Sequence, residues 1–311
     1  MAERPAVRRG AEQTVRVADG VDICFDSFGE RDDPTLLLVM GLGGPLLWWH
    51  DGLCEQLADK GFFVVRYDNR DVGRSTRLET HPVSRSRVVG AFAGSRTPPP
   101  YTLSDMAADG VGVLDHLGVP RAHVAGVSMG GMIAQTLAID HPDRVLSLTA
   151  ISSTTGRRSV GWQDPRLFPM LLGKAATSRE QAVARSSRTS QAIGSPGYPT
   201  PLEVTQQRAV ETYDRGSNPA GVIRQMLAVL AQPDRTPALQ RLTLPALVIH
   251  GLADRLVHVS GGRATGAALP NSELMLVPGM GHDLPEALWP VIAAAVARIA
   301  ERPIPPTDAA R

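Results

Sequence analysis

The chain has 311 residues, of which 43% are hydrophobic and 20% charged, a composition that argues against wholesale disorder and favours one large domain or a core domain with an insertion. Its formal net charge is +1 and its arginines are scattered, so the composition gives no general attraction to nucleic acid or to anionic membranes. The sequence has no secretory signal and no run of roughly 20 apolar residues, which predicts a cytoplasmic protein without an integral membrane segment. Cys24 and Cys54 are too few for a disulfide framework, and we expect two buried thiols. None of these features determines the oligomeric state.

Short apolar runs alternate with segments of helical periodicity along most of the chain. The runs are TLLLVMG, FFVVRYD, AHVAGV, VLSLTAI, ALVIHG and SELMLVPG, which begin at Thr35, Phe62, Ala122, Val145, Ala246 and Ser272. Upstream, TVRVADGVDICFDSFG contains two strand-like runs around a turn at Asp19 and Gly20. Runs that are apolar throughout are typical of strands covered on both faces. The pattern predicts an α/β fold with a mostly parallel eight-stranded sheet and helices on both faces.

The alternation stops after the run that begins at Val145, and no strand-like run follows until ALVIHG. Helix start and stop signals in this stretch predict an all-helical insertion. We therefore expect a core of residues 1–155 and 240–311 and a helical cap of residues 156–239. A second irregular segment, which begins at Arg77 and bears several prolines and glycines, predicts a long loop.

The segment GVSMGG places Ser128 between glycines, after the AHVA run and directly before a helical segment. Gly-x-Ser-x-Gly between a strand and a helix is the pattern of a nucleophile elbow, in which a sharp turn raises the serine hydroxyl above the sheet. Gly126 and Gly130 would keep neighbouring side chains away from that turn. Ser128 is therefore the predicted catalytic nucleophile.

A serine hydroxyl needs a base, and the base needs an acid that holds its tautomer. In elbow enzymes the order along the chain is serine, acid, histidine. Asp254 follows the fifth apolar run and His282 follows the sixth, so both are expected at the carboxyl edge of the sheet, where open α/β sheets bind ligands. Asp283 and Asp234 are weaker candidates for the acid. The other histidines are interpreted as surface or structural residues.

The oxyanion that forms during acyl transfer needs two N–H donors, one from the residue after the nucleophile and one from the loop after the third strand. The pattern predicts the backbone amides of Met129 and Leu42, because Gly41, Gly43 and Gly44 leave the loop backbone free to point inward. The glycine cluster lacks the lysine of a P-loop and the spacing of a dinucleotide fingerprint. Histidine and aspartate are not clustered at metal-ligand spacing, so we expect no metal and no cofactor.

Six segments carry a resemblance to the α/β-hydrolase superfamily over nearly the whole chain: LLLVMGLGG, VVRYDNRDVGRS, AHVAGVSMGG, HPDRVLSL, PALVIHGLADRLV and PGMGHDLP. Within it the chain resembles a group of bacterial esterases that includes aclacinomycin methylesterase, which share the Met-Gly opening of the oxyanion loop and the PGMGH segment. The resemblance implies a triad of Ser128, Asp254 and His282 under a helical cap. Many members have His-Gly where this chain has Met40 and Gly41, which keeps the backbone donor but removes a side chain that often organises the loop.

The serine argues against the branches with an aspartate nucleophile, and the lack of an asparagine before it argues against the carbon–carbon bond hydrolases. The sequence therefore predicts a serine hydrolase that cleaves a small hydrophobic carboxylic ester through an acyl-enzyme, with a methyl ester or another small-alcohol ester as the candidate substrate. Thioesterases, lactonases and cofactor-free haloperoxidases or perhydrolases use the same triad and stay open, as does a low-turnover binding protein of this fold. We expect Gly41, Gly43, Phe168 and Met226 to line an apolar substrate pocket.

Overall fold

The computed structural model of the protein describes residues 7–92, 98–167 and 176–303, and one sheet organises them. Its strands in chain order are β1 (Gln13–Ala18), β2 (Val21–Phe28), β3 (Thr35–Val39), β4 (Phe63–Tyr67), β5 (Ala122–Val127), β6 (Val145–Ile151), β7 (Ala246–Gly251) and β8 (Ser272–Val277). They lie in the order β1-β2-β4-β3-β5-β6-β7-β8. Strand β2 is antiparallel to β1 and β4, and the other neighbours are parallel. The predicted mostly parallel eight-stranded sheet is confirmed.

Helices cover both faces of this sheet. Within the described ranges they are α1 (Asp51–Asp59), α2 (Arg85–Phe92), α3 (Leu103–His116), α4 (Met129–Asp140), α5 (Arg179–Ile193), α6 (Leu202–Gly216), α7 (Pro219–Ala231), α8 (Thr236–Leu239), α9 (Ser260–Ala268) and α10 (Trp289–Ala300). Helices α3 and α4 pack on one face, and α1 and α10 pack on the other. None of the helices in these ranges combines the length and the apolar character that crossing a bilayer requires.

The central strands contribute to two hydrophobic cores, one on each face of the sheet. In β3, Leu37 and Val39 enter the core beneath α3 and α4, whereas Leu36 and Leu38 enter the core beneath α1 and α10. Burial on both faces explains why these runs are apolar throughout. Strand β8 departs from the expectation, because it is the last strand of the sheet and most of its residues are only partly buried.

The chain between Ile151 and Ala246 contains helices and no strand wherever the structure describes it, as the sequence predicts. Helix α5 packs against α6, and α7 packs against α2. The segment that begins at Arg77 was predicted to be a long loop, and this is wrong for residues Arg85–Phe92, which form α2. A helix of 8 residues is too short to be stable alone. Packing against α7 and burial of Val88 supply the missing stability, and sequence periodicity could not reveal either contact.

The two cysteines are buried and free, as expected. Burial raises the pKa of the Cys24 thiol and of the Cys54 thiol to about 12. Both side chains therefore stay protonated near neutral pH and act as small apolar residues.

Candidate active site

Ser128 occupies a sharp turn between β5 and α4. Its backbone has φ 57° and ψ −120°, a left-handed conformation that costs a non-glycine residue about 1–3 kcal/mol. A β-carbon added at Gly126 would collide with the carbonyl oxygen of Gly130, and one added at Gly130 would collide with the carbonyl oxygen of Val39. Both glycines are therefore required by close backbone packing, which is the geometry of a nucleophile elbow.

Hydrogen bonds hold the backbone of Ser128 on both sides of the turn. Its N–H donates to the Ile151 carbonyl of β6 at 2.8 Å. Its carbonyl accepts from the Gly131 amide at 3.0 Å and from the Ser153 hydroxyl at 2.8 Å. The strained conformation is thus fixed by the neighbouring strand and by the first turn of α4, and it presents the side chain at the carboxyl edge of the sheet.

Asp254 and His282 form a buried pair at that edge. Nδ1 of His282 lies 2.7 Å from Oδ2 of Asp254. Oδ1 of Asp254 accepts from the Leu256 and Val257 amides, each at 2.9 Å. Burial acts to raise the pKa of Asp254, but the attraction and hydrogen bond of His282 and the bond from the Val257 amide outweigh it and hold that pKa below its usual value. The carboxylate directs the proton of the imidazole to Nδ1 and leaves Nε2 as the free acceptor.

The weaker acid candidates lie elsewhere. Asp283 Oδ1 accepts a hydrogen bond from the Ser195 hydroxyl, and Asp234 is exposed and accepts from the Thr236 amide at 2.9 Å before α8. Neither is paired with His282. Burial raises the pKa of the Asp283 carboxyl.

His250 lies next to this pair, although its sequence context predicts only a surface or structural histidine. Its Nε2 lies 3.5 Å from Oδ2 of Asp254 and 2.8 Å from the Val257 carbonyl. Burial lowers the pKa of His250, so the ring stays neutral. The spacing of four residues was the only feature of the sequence that could have indicated contact between His250 and Asp254. The two side chains meet because the chain turns sharply after β7.

The structure brings Ser128 and His282 to the same edge without a direct bond. Among the described residues, the Ser128 hydroxyl makes no hydrogen bond, whereas His282 is bonded to Asp254. Bonds between a nucleophile and its base are often loose until substrate binds. Gly41 lies against the serine, since a β-carbon added there would be 3.2 Å from the Ser128 β-carbon.

Two backbone amides near Ser128 have no acceptor in the described ranges, one in the loop after β3 and one at the first residue of α4. In the part of the chain that the structure describes, the amides of Leu42 and Met129 donate to no other residue. The Gly43 amide instead donates to Oε1 of Gln225 at 2.8 Å. The side-chain amide of Gln225 also donates to the Arg70 carbonyl at 2.9 Å. This fully buried residue of α7 therefore joins the segment after β4 to residues 40–45, the loop after β3, which we name the oxyanion loop for its predicted role.

That segment, residues 68–75, is part of a buried polar network to which the sequence analysis assigned no role. Asp71 accepts hydrogen bonds from Nη2 and Nε of Arg224, at 2.6 and 2.7 Å, and from the hydroxyl of Tyr101 at 2.8 Å. Asn69 donates to the Met40 carbonyl at 2.8 Å. Arg224 lies on α7, so the network joins the sheet, the oxyanion loop and the helices that follow β6.

A cavity of about 1200 Å³ opens beside His282, between the sheet edge and helices α2, α5, α6 and α7. Of the predicted pocket residues, Gly43 and Met226 line it. Gly41 backs Ser128 instead, and Phe168 lies outside the described residues. Apolar walls come from the core, α2 and α7, with the side chains of Met40, Trp48, Val88, Val222, Ile223 and Met226. Helices α5 and α6 supply a polar wall that the sequence did not predict.

Comparisons of the sequence and of the fold with known proteins both find hydrolases. A family model described as alpha/beta hydrolase fold matches residues 34–286. Rhodomycin D methylesterase DauP of Streptomyces sp. (strain C5) is 30% identical over 89% of this chain and 94% of its own length. The 3-oxoadipate enol-lactonase 2 of Acinetobacter baylyi is 29% identical over 79% of this chain and 81% of its own length.

A solved structure agrees on the fold. A hydrolase from Pseudomonas aeruginosa PA01 superposes with a TM-score of 0.69 at 23% identity and covers 94% of this chain and 99% of its own. The resemblance to bacterial methylesterases that the sequence motifs carry is confirmed by the relatives.

Proposed function

The chain belongs to the α/β-hydrolase family, and we propose that it hydrolyses carboxylic esters through an acyl-enzyme on Ser128. The observation that carries the proposal is the buried Asp254–His282 pair, 2.7 Å apart, at the sheet edge where the elbow presents a serine. A carboxylate that fixes the tautomer of a histidine beside an elbow serine is the arrangement that activates an alcohol for acyl transfer.

In the proposed reaction, the Ser128 hydroxyl attacks the ester carbonyl while Nε2 of His282 takes its proton. Asp254 stabilises the imidazolium that forms. The amides of Leu42 and Met129 donate to the oxyanion, and their lack of acceptors among the described residues supports this role. His282 then gives the proton to the leaving alcohol, and a water molecule, activated by the same imidazole, releases the acid.

We further propose that residues 156–239 form a cap over the site and that the substrate is a small-alcohol ester of a largely hydrophobic acid. The apolar walls of the cavity, including Met226, support the second point. The similarity to DauP, a rhodomycin D methylesterase, supports a methyl ester. Another relative is an enol-lactonase. A lactone, which is an internal ester, is therefore the second candidate substrate.

The decisive experiment compares the wild type with Ser128→Ala on p-nitrophenyl acetate and with a fluorophosphonate probe. We expect kcat to fall by about 10⁴- to 10⁶-fold and labelling to disappear, because the triad acts as a unit. Ser84→Ala, a change on an exposed serine, is the matched control and should leave both unchanged. Retention of turnover by the Ser128 variant would refute the acyl-enzyme on Ser128. A wild type that neither labels nor turns over would favour a binding protein. Methyl esters, acyl-CoA and lactones then separate the remaining substrate classes.

A further inference from the structure

One face of α6 presents polar side chains to the cavity. Thr205, Arg208 and Thr212 follow one another at spacings of three and four residues, which places them on the same side of the helix. All three line the cavity that His282 also lines. The same cavity is also lined by apolar side chains of α7, including Val222 and Met226. A ligand that fills the space therefore meets both an apolar surface and a cation.

The guanidinium of Arg208 has no hydrogen-bond acceptor or ion-pair partner within the described ranges. Other arginines nearby are paired: Arg215 on the same helix lies 2.9 Å from Asp68, and Arg255, which also lines the cavity, lies 3.0 Å from Asp164. An arginine keeps its charge in proteins, so half-burying it without a partner is unfavourable.

The carboxyl group of Asp283 does not fill this role. It attracts Arg208, but no ion pair joins them, and Asp283 accepts a hydrogen bond from Ser195 instead. Burial lowers the pKa of Arg208 and raises that of Asp283, which agrees with two groups that do not neutralise each other at contact distance. Arg208, Asp283 and the proposed base His282 all line the same cavity.

We propose that Arg208 binds a carboxylate of the substrate, so that the preferred ester is a monoester of a dicarboxylic acid. The inference rests on the proposed esterase function. A guanidinium presents parallel N–H groups that match the two oxygens of a carboxylate. The methylene chain between this carboxylate and the ester packs against Val222 and Met226 while the carbonyl lies near Ser128.

The test compares two substrates that differ only at the far end of the acyl chain: the mono-4-nitrophenyl ester of adipic acid, which carries a carboxylate, and 4-nitrophenyl hexanoate, which carries a methyl group. Arg208→Gln should lower kcat/KM for the adipate ester by about 10- to 100-fold, mainly through KM, and that for the hexanoate by less than about threefold. Arg208→Lys should retain much of the preference because it keeps the charge. The control, Arg188→Gln, changes an exposed arginine of α5 outside the cavity and should affect neither ester.

Equal losses on the two esters would overturn the proposal, since Arg208 would then only shape the cavity. Should Arg208→Gln fail to fold, inhibition of the wild type decides: adipamate, which carries a carboxylate, should inhibit hexanoate turnover at a lower concentration than hexanamide, and equal or weaker inhibition would refute the assignment. A wild type that hydrolyses neither ester and does not label on Ser128 would instead refute the proposed function.

Discussion

Two buried carboxylates sit in different regions of this molecule with different kinds of partner. Asp254, after β7, is bonded to His282, whose ring can accept and release a proton. Asp71, after β4, is bonded to Arg224, which cannot release one. In both cases burial acts to raise the carboxyl pKa, and hydrogen bonds and the attraction of the partner hold that pKa below its usual value.

The two carboxylates are stabilised in similar ways, but their partners differ in whether they can exchange a proton. His282 lines the cavity, and in the proposed mechanism its ring changes protonation while Asp254 stays ionised. The Asp71–Arg224 pair joins a loop of the core to helix α7, and its protonation state does not change because arginine keeps its proton. We therefore expect changes in the first pair to affect the rate more than stability, and changes in the second to affect stability first.

Among changes to these two pairs, Asp254→Asn should have the largest effect on the rate. The amide would keep the shape of the side chain but would no longer fix the imidazole tautomer, so kcat should fall by about 10⁴-fold. Esterase kinetics and a thermal melt measure the two outcomes. Asp115→Asn changes a carboxylate whose side chain is 62% exposed and should leave kcat unchanged. A modest loss of rate would assign the acid role to another residue.

Among changes to these two pairs, Arg224→Met should have the largest effect on stability. It leaves the buried Asp71 carboxylate without its cation, which should lower the free energy of unfolding by about 3–5 kcal/mol. Denaturant titration measures the change, and the double variant with Asp71→Asn should recover part of the loss. Arg179→Met, at an exposed ion pair with Asp214, is the control and should leave the unfolding midpoint unchanged. Equal midpoints for Arg224→Met and the wild type would mean that the buried pair contributes no stability.

Gln225→Ala is the smallest of the three effects and tests the link between the two regions. Without the side chain, the Gly43 amide loses its acceptor and the oxyanion loop loses its tie to residues 68–75, so kcat should fall by about 10-fold with KM little changed. Gln225→Glu, which keeps the acceptor, should lie between this variant and the wild type. Gln207→Ala on the exposed side of α6 is the control. A rise in KM alone would show that Gln225 shapes the cavity rather than the loop.

The parts of the site that the sequence predicted are those with a local steric or topological cause. The elbow around Ser128 is a contiguous pattern whose glycines are required by backbone contacts, and Asp254 and His282 are candidates because each lies in the loop after a strand. Parallel strands end at the same edge, so their order along the chain was enough to predict proximity.

The parts that the sequence missed depend on contacts between distant segments. Gly43 and Gln225 are 182 residues apart in the chain, and no periodicity in either segment indicates that they meet. The polar wall of the cavity was missed for a related reason: Arg208 looks like any surface arginine of a helix until the position of α6 is known. The sequence therefore predicts the chemistry of the site better than its substrate.

The hydrogen bonds that cross the predicted boundary at residues 156–239 have a consequence for evolution and engineering. Arg224 and Gln225 bind core loops, and the His282 amide donates to the Ile193 carbonyl of α5 at 2.8 Å. The helices of residues 156–239 therefore cannot be exchanged on their own between related enzymes. A foreign insertion would leave Asp71 without Arg224 and the His282 amide without the Ile193 carbonyl. A working chimera would have to transfer the segment of residues 68–75 together with the helices, so these two stretches should diversify as one inherited unit.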